Sequence, residues 1–272
     1  MSYKIVACDL DGTLLSDDMT VSAENLRAIA DLRAKGVEFV PASGRTLCEM
    51  DDALMQNPNV RYIIYSNGAA IFDKATGERT LFCMPNADVR FALDELRRYQ
   101  AHVTFRHNGN TYADAKQNSE QSFAYHNVWQ RHADVLRLYA HFLPDFYGSA
   151  YALDNVEVFA VFFRDVGERE QCFRVLEQSG KFFLAKICDN GLEIFSPYAG
   201  KGNALTALAN KLHIPMEQTL AIGDSGNDIT LLQAAGLGLA MSGSPEEVLA
   251  AADKTACRNN EHVVQHIIRT YF

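Results

Sequence analysis

Ile5-Val6-Ala7-Cys8-Asp9-Leu10-Asp11-Gly12-Thr13 carries four apolar residues straight into two carboxylates and a glycine. An uninterrupted apolar run of this kind reads as a strand buried on both faces, as in the interior of a parallel sheet. The i, i+2 spacing of Asp9 and Asp11 returns both side chains to one face of an extended chain, and Gly12 lets the backbone turn sharply after them. A second run is built the same way: Leu220-Ala221-Ile222 leads into Gly223-Asp224-Ser225-Gly226-Asn227-Asp228. Each acidic cluster therefore sits where a buried strand ends, which is the crevice in which open α/β sheets bind ligands.

Working outward, the N-terminal stretch alternates a strand (Tyr3 to Cys8), an amphipathic helix (Ser22 to Lys35) and a strand (Val37 to Pro41), with Gly36 closing the helix. Ala28, Ile29 and Leu32 repeat at helical spacing behind the partial capping box Ser22-x-x-Asn25. A helix from Thr46 to about Gln56 and a strand from Tyr62 to Tyr65 follow, and Asn67-Gly68 and Thr76-Gly77 punctuate short strands as in a hairpin. The C-terminal stretch resumes the alternation: helix Lys201 to Leu212, strand Thr219 to Ile222, helix Asp228 to Ala235, strand Gly238 to Ala240. The two ends thus predict one α/β, doubly wound, Rossmann-like parallel sheet.

The middle has an alternation of its own. It reads as a helix near Ala87 to Tyr99, strands at Val103 to Arg106 and Thr111 to Ala113, and helices at Ser119 to Trp129 and Ala133 to Phe142. A strand at Val156 to Arg164, a helix at Glu168 to Gln178 and a strand at Phe182 to Cys188 complete it. The expected organisation is a discontinuous core, residues 1–83 and 189–272, with an inserted α/β cap, residues 84–188. Trp129 with Tyr125, and Phe159 with Phe162 and Phe163, read as core of that insert.

Composition narrows the function classes. Hydrophobic residues at 48% and charged residues at 22% of 272 describe an ordinary globular chain. A net charge of −9, with no basic stripe, argues against a nucleic-acid surface. No signal peptide or membrane-length apolar run is visible. The six cysteines show no metal spacing and read as reduced core residues, so a cytoplasmic protein that engages neither nucleic acid nor membrane is expected. The insert's histidines, His102, His107, His126, His132 and His141, lack zinc spacing and read as surface or packing residues.

Two further segments carry chemistry. Ser43-Gly44-Arg45 follows an apolar strand and precedes a helix, so a hydroxyl and backbone N–H groups are available there for an anion. Lys201 begins a helix, where the dipole disfavours a cation, so an anion is expected beside it. Asp9-x-Asp11-Gly12-Thr13, Ser43-Gly44-Arg45, Lys201-Gly202 and Gly223-Asp224-Ser225-Gly226-Asn227-Asp228 stand in the order of four motifs of the haloacid dehalogenase superfamily. Together they span nearly the whole chain, which resembles that superfamily. The late, mixed insert and Asn67-Gly68-Ala69 resemble its Cof-like phosphatase branch with a large cap. The usual threonine of the second motif is serine here, which keeps the donor and loses a methyl.

The resemblance implies an Mg2+-dependent phosphatase acting on a small phosphorylated metabolite, a sugar phosphate or a cofactor-like ester such as pyridoxal phosphate. Asp9 is the implied nucleophile, forming an aspartyl-phosphate, with Asp11 as general acid and base and Lys201 offsetting charge. Leu10, Ser43, Gly44, Lys201 and Asn227 are expected around the phosphate. Asp9, Asp224 and the Asp11 backbone carbonyl are expected on the metal; Arg45, Asn67 and Asp228 are further candidates, Asp228 as support for the lysine or the metal ligands. A cap that closes would exclude water and read the leaving group. A phosphomutase of the same superfamily and a phospho-acceptor regulator are the alternatives, and the expected assembly is a monomer or weak homo-oligomer.

Overall fold

A computed structural model of the chain describes residues 3–272. The chain folds into two compact units. The first holds residues up to Arg45, Met50–Thr80 and Gly200–Phe272; the second holds Thr46–Glu49 and Leu81–Ala199.

The first unit is built on a five-stranded parallel sheet with Ile5–Cys8 between Thr219–Gly223 and Glu38–Pro41, extended by Leu237–Ala240 and Lys254–Thr255. Ile5, Val6, Ala7, Cys8, Leu220, Ala221 and Ile222 are all wholly buried, which is why this sequence stays apolar without alternation. In-register pairing of Cys8 with Ile222 brings the ends of both strands level, so Asp9 and Gly223 leave the sheet side by side. The helix Ala23–Ala34 is capped by Ser22, whose Oγ accepts from Asn25 N at 3.2 Å.

The second unit is a six-stranded mixed sheet with Val158–Phe163 between Ala101–His107 and Gly191–Phe195. Alternation divides its faces. Val103, Phe105, Phe159, Val161, Phe163, Leu192 and Ile194 enter a core shared with the helices Asn86–Leu96 and Val166–Gln178. His102, Thr104 and Arg106 alternate with them on the central strand.

Four expectations are corrected. Residues 189–199 were expected in the discontinuous core, but Gly191–Phe195 pairs antiparallel with Val158–Phe163 and completes the second unit's sheet. The helix expected over Thr46 to Gln56 is instead a short turn, Leu47–Glu49, and a separate helix, Asp52–Met55. Asp51 caps that helix by accepting from Ala53 N at 2.7 Å, whereas Cys48 N donates to Gly109 O at 3.0 Å in the second unit. The helix expected to Trp129 ends at Tyr125, and Tyr125 and Trp129 are 46% and 53% exposed rather than core. All six cysteines are free thiols, with Cys8 and Cys172 buried and the other four only half-buried. Among the described residues, no helix is long and apolar enough to cross a membrane.

Candidate active site

Asp9 is the first residue beyond its strand, and its N–H still donates to Ile222 O at 2.9 Å. The chain then makes a wide turn over Leu10–Leu14, closed by Leu14 N to Asp9 O at 3.2 Å and Leu15 N to Leu10 O at 2.9 Å. Gly12 has φ +84°, and a Cβ on it would lie 2.6 Å from Asp224 Oδ2, so the turn needs glycine for both conformation and space. Thr13 Oγ1 donates to Asp224 Oδ1 at 2.8 Å, tying the two acidic runs together across the sheet end.

Lys201 stands at the first position of the helix Lys201–Lys211, its side chain wholly buried. Its Nζ donates to Asp9 Oδ1 and to Asp228 Oδ1, both at 2.6 Å. The other Asp228 oxygen accepts from Asp224 N and Ser225 N, each at 3.1 Å. The anion that the helix dipole calls for is therefore a pair of aspartates. Burial works against the ammonium, yet the Asp228 and Asp9 carboxylates hold it above the ordinary lysine value. Burial, and then the charge of Asp228, push the Asp9 carboxyl well above the usual aspartate range, with Lys201 acting the other way. Burial raises Asp224 as well.

Asp9, Asp224 and Asp228 each offer an oxygen, and these atoms lie within 4.8 Å of one another. An all-oxygen set suits a hard divalent cation such as Mg2+. The lysine and two backbone N–H groups already engage Asp228, which leaves Asp9 and Asp224 as the better carboxylate ligands. Their raised pKa values reflect buried negative charge that one ammonium does not fully offset, and a divalent cation would supply the remainder.

The Ser43-Gly44-Arg45 segment is brought against Asn67. Asn67 N donates to Ser43 O at 3.0 Å, and a Cβ on Gly44 would lie 2.9 Å from Asn67 Oδ1. Asn67 itself adopts a left-handed φ of 54°, and Gly68 follows at +82°. A Cβ on Gly68 would lie 2.3 Å from the Gly200 carbonyl, so this turn packs directly on the start of the lysine's helix. Asn227 Nδ2 donates to Asn67 Oδ1 at 2.9 Å. Arg45 turns its guanidinium to Asp11, with Nε to Oδ2 at 2.9 Å and Nη2 to Oδ1 at 2.8 Å. Sequence reasoning singled out Arg45, Asn67 and Asp11 but missed that the first and last form a pair and that Asn67 meets Asn227. It also passed over Thr13 as the anchor of Asp224, although the residue lay inside a quoted motif.

The profile of the haloacid dehalogenase-like hydrolases matches residues 6–268. Phosphatase YwpJ of Bacillus subtilis is 29% identical over 98% of this chain and 99% of its own length. The 5-amino-6-(5-phospho-D-ribitylamino)uracil phosphatase YcsE of the same organism is 27% identical, over 99% and 96%. A haloacid dehalogenase-like hydrolase from Bacteroides thetaiotaomicron superposes with a TM-score of 0.83 over the full length of both chains, at 24% identity.

Proposed function

We propose, since the chain belongs to the haloacid dehalogenase-like hydrolase family, that it is an Mg2+-dependent phosphatase of a small phosphorylated metabolite. The observation that carries the proposal is the buried Lys201 Nζ held 2.6 Å from Asp9 Oδ1, beside two further carboxylates at the end of the parallel sheet. The similarity to curated phosphatases supports the same reading.

In this reaction Asp9 attacks phosphorus and the ester oxygen departs, taking a proton from Asp11. Water then attacks the aspartyl-phosphate, gives its proton to Asp11 and frees Asp9. Lys201, the Ser43 hydroxyl, Gly44, Leu10 and Asn227 hold the phosphoryl oxygens, and Asn67 orients Asn227 through its 2.9 Å bond. Asp9 and Asp224 would hold Mg2+, which when bound neutralises charge on the phosphoryl group and on the two aspartates. Asp228 keeps the lysine aimed at Asp9.

Phosphate release from sugar phosphates, pyridoxal phosphate, a ribityl phosphate and p-nitrophenyl phosphate, with Mg2+ or EDTA, tests the proposal. Many turnovers per chain are expected with Mg2+ and none with EDTA. Turnover that is indifferent to EDTA would remove the metal from the account, and a single phosphate per chain would make the protein an acceptor rather than an enzyme.

A further inference from the structure

The helices Glu120–Tyr125 and Gln130–Tyr139 connect two neighbouring strands of the second unit, Asn110–Asp114 and His141–Leu143. They pack on the face of the sheet that carries His102 and Phe162, opposite the face that holds the unit's large core. Phe123, Ala133 and Leu136 form a small cluster of their own with Ala113 of the strand. The two helices are also tied to each other: Arg137 Nε donates to Glu120 Oε1 at 3.0 Å, and the Arg137 guanidinium lies 5.3 Å from the centre of the Phe123 ring.

Their attachment to the sheet is of another kind. His102 is 1% exposed and meets Phe123 edge-on at 5.5 Å and His126 at 6.0 Å, and neither of its ring nitrogens has a hydrogen-bond partner among the described residues. The His132 ring lies 4.8 Å from Phe162, and its Nε2 is likewise buried and unpartnered. Covering an imidazole nitrogen without giving it a partner costs free energy that is recovered when water returns, so this contact opens more readily than an apolar one of equal area. Part of the rim lies in water: Tyr125 Oη donates to Gln100 Oε1 at 2.6 Å, and Asn127 Nδ2 donates to Arg164 O at 3.1 Å, both exposed. Asn190 supplies a buried tie, its Nδ2 donating to His126 O at 2.9 Å and to Phe163 O at 2.6 Å. We propose that residues 120–139 are a lid that lifts off the sheet as one body while the rest of the second unit stays folded, with Asn190 as its latch, and that the open state admits water and small solutes to His102. The lid is independent of the chemistry assigned to Asp9.

Native-state hydrogen exchange of the full chain, read by mass spectrometry of its peptides, tests this together with labelling by diethyl pyrocarbonate, which acylates a neutral imidazole only when it can reach it. Amides of both helices should show protection roughly a hundredfold or more below that of Val158–Phe163, a strand of the large core. His102 should be acylated in the folded protein, faster than global unfolding allows. Asn190→Ala should raise both rates while leaving the exchange of Val158–Phe163 as it was. His102→Phe, which replaces an unpartnered imidazole by an apolar ring, should slow exchange in both helices, and with wild type it carries the test if Asn190→Ala fails to fold. Protection of the helices equal to that of Val158–Phe163 would overturn the proposal, as would a His102 that is acylated only once urea unfolds the whole chain. Fast exchange confined to one of the two helices would overturn it as well, by showing that they do not move together.

Discussion

Lys201 with its aspartates in the first unit and two histidines of the second are buried on opposite terms. In the first unit Lys201, Asp9 and Asp228 are buried together, and the lysine donates to both carboxylates at 2.6 Å. In the second, His102 is 1% exposed with neither ring nitrogen hydrogen-bonded among the described residues, and His132 Nε2 is likewise buried without a partner. The His102 ring meets Phe123 edge-on at 5.5 Å, and the His132 ring lies 4.8 Å from Phe162. Burial, and then the neighbouring His126, push His102 down to about 3. Burial, then Arg106 and His102, push His132 down to about 3 as well. Burial alone keeps a group neutral and makes it packing material. Burial beside opposite charge keeps the Lys201 ammonium charged and counters, without cancelling, the upward push of burial on Asp9, which is an arrangement poised for chemistry.

The contrast is broken most forcefully by Lys201→Ala. It leaves Asp9 and Asp228 buried without their cation, and the expected loss is about 3–5 kcal/mol of unfolding free energy, read from urea denaturation. A loss no larger than that of an exposed lysine would show that the pair is not the uncompensated charge described here.

Acid should act on the other unit. The unfolded chain takes up protons on its histidines near the ordinary value of about 6.5, whereas the folded histidines wait until about 3. The contribution of His102 and His132 to stability is thus intact above pH 6.5 and is lost progressively as the pH falls towards 3. The slope is on the order of 1 kcal/mol per pH unit for each histidine. Trp129 is the sole tryptophan and belongs to the second unit, so its fluorescence follows the urea midpoint there. His102→Phe should flatten the decline, and an unaltered slope would assign the acid sensitivity elsewhere. The smallest effect is expected from Thr13→Val, which deletes the 2.8 Å bond to Asp224. It should cost about 1 kcal/mol and weaken Mg2+ activation roughly tenfold; unchanged activation would show that Asp224 needs no such anchor.

Much of the first unit was legible because its information is local. Ile5 to Cys8 and Leu220 to Ile222 read as buried strands from composition alone, and the carboxylates follow them directly in the chain. Lys201 announced an anionic neighbour through its position at a helix start. The Arg45 fork was not legible, because a flexible side chain after a turn gives no sign of which carboxylate it will meet. The second unit was harder for a related reason. Gly191–Phe195 became a strand through its pairing with Val158–Phe163, a non-local contact that no window of sequence displays. Trp129 looked apolar enough for a core, yet it lies in the break between the helices Glu120–Tyr125 and Gln130–Tyr139.

The central claim is that Asp9 carries the phosphoryl group. Acid-quenching the enzyme during turnover with Mg2+ and a reactive phosphate ester, then weighing its peptides by mass spectrometry, tests it directly. The account predicts one added phosphoryl group on the peptide that contains Asp9, and none in Asp9→Asn, which should also lose turnover. A phosphoryl group found on any other residue, or undiminished turnover in Asp9→Asn, would contradict it.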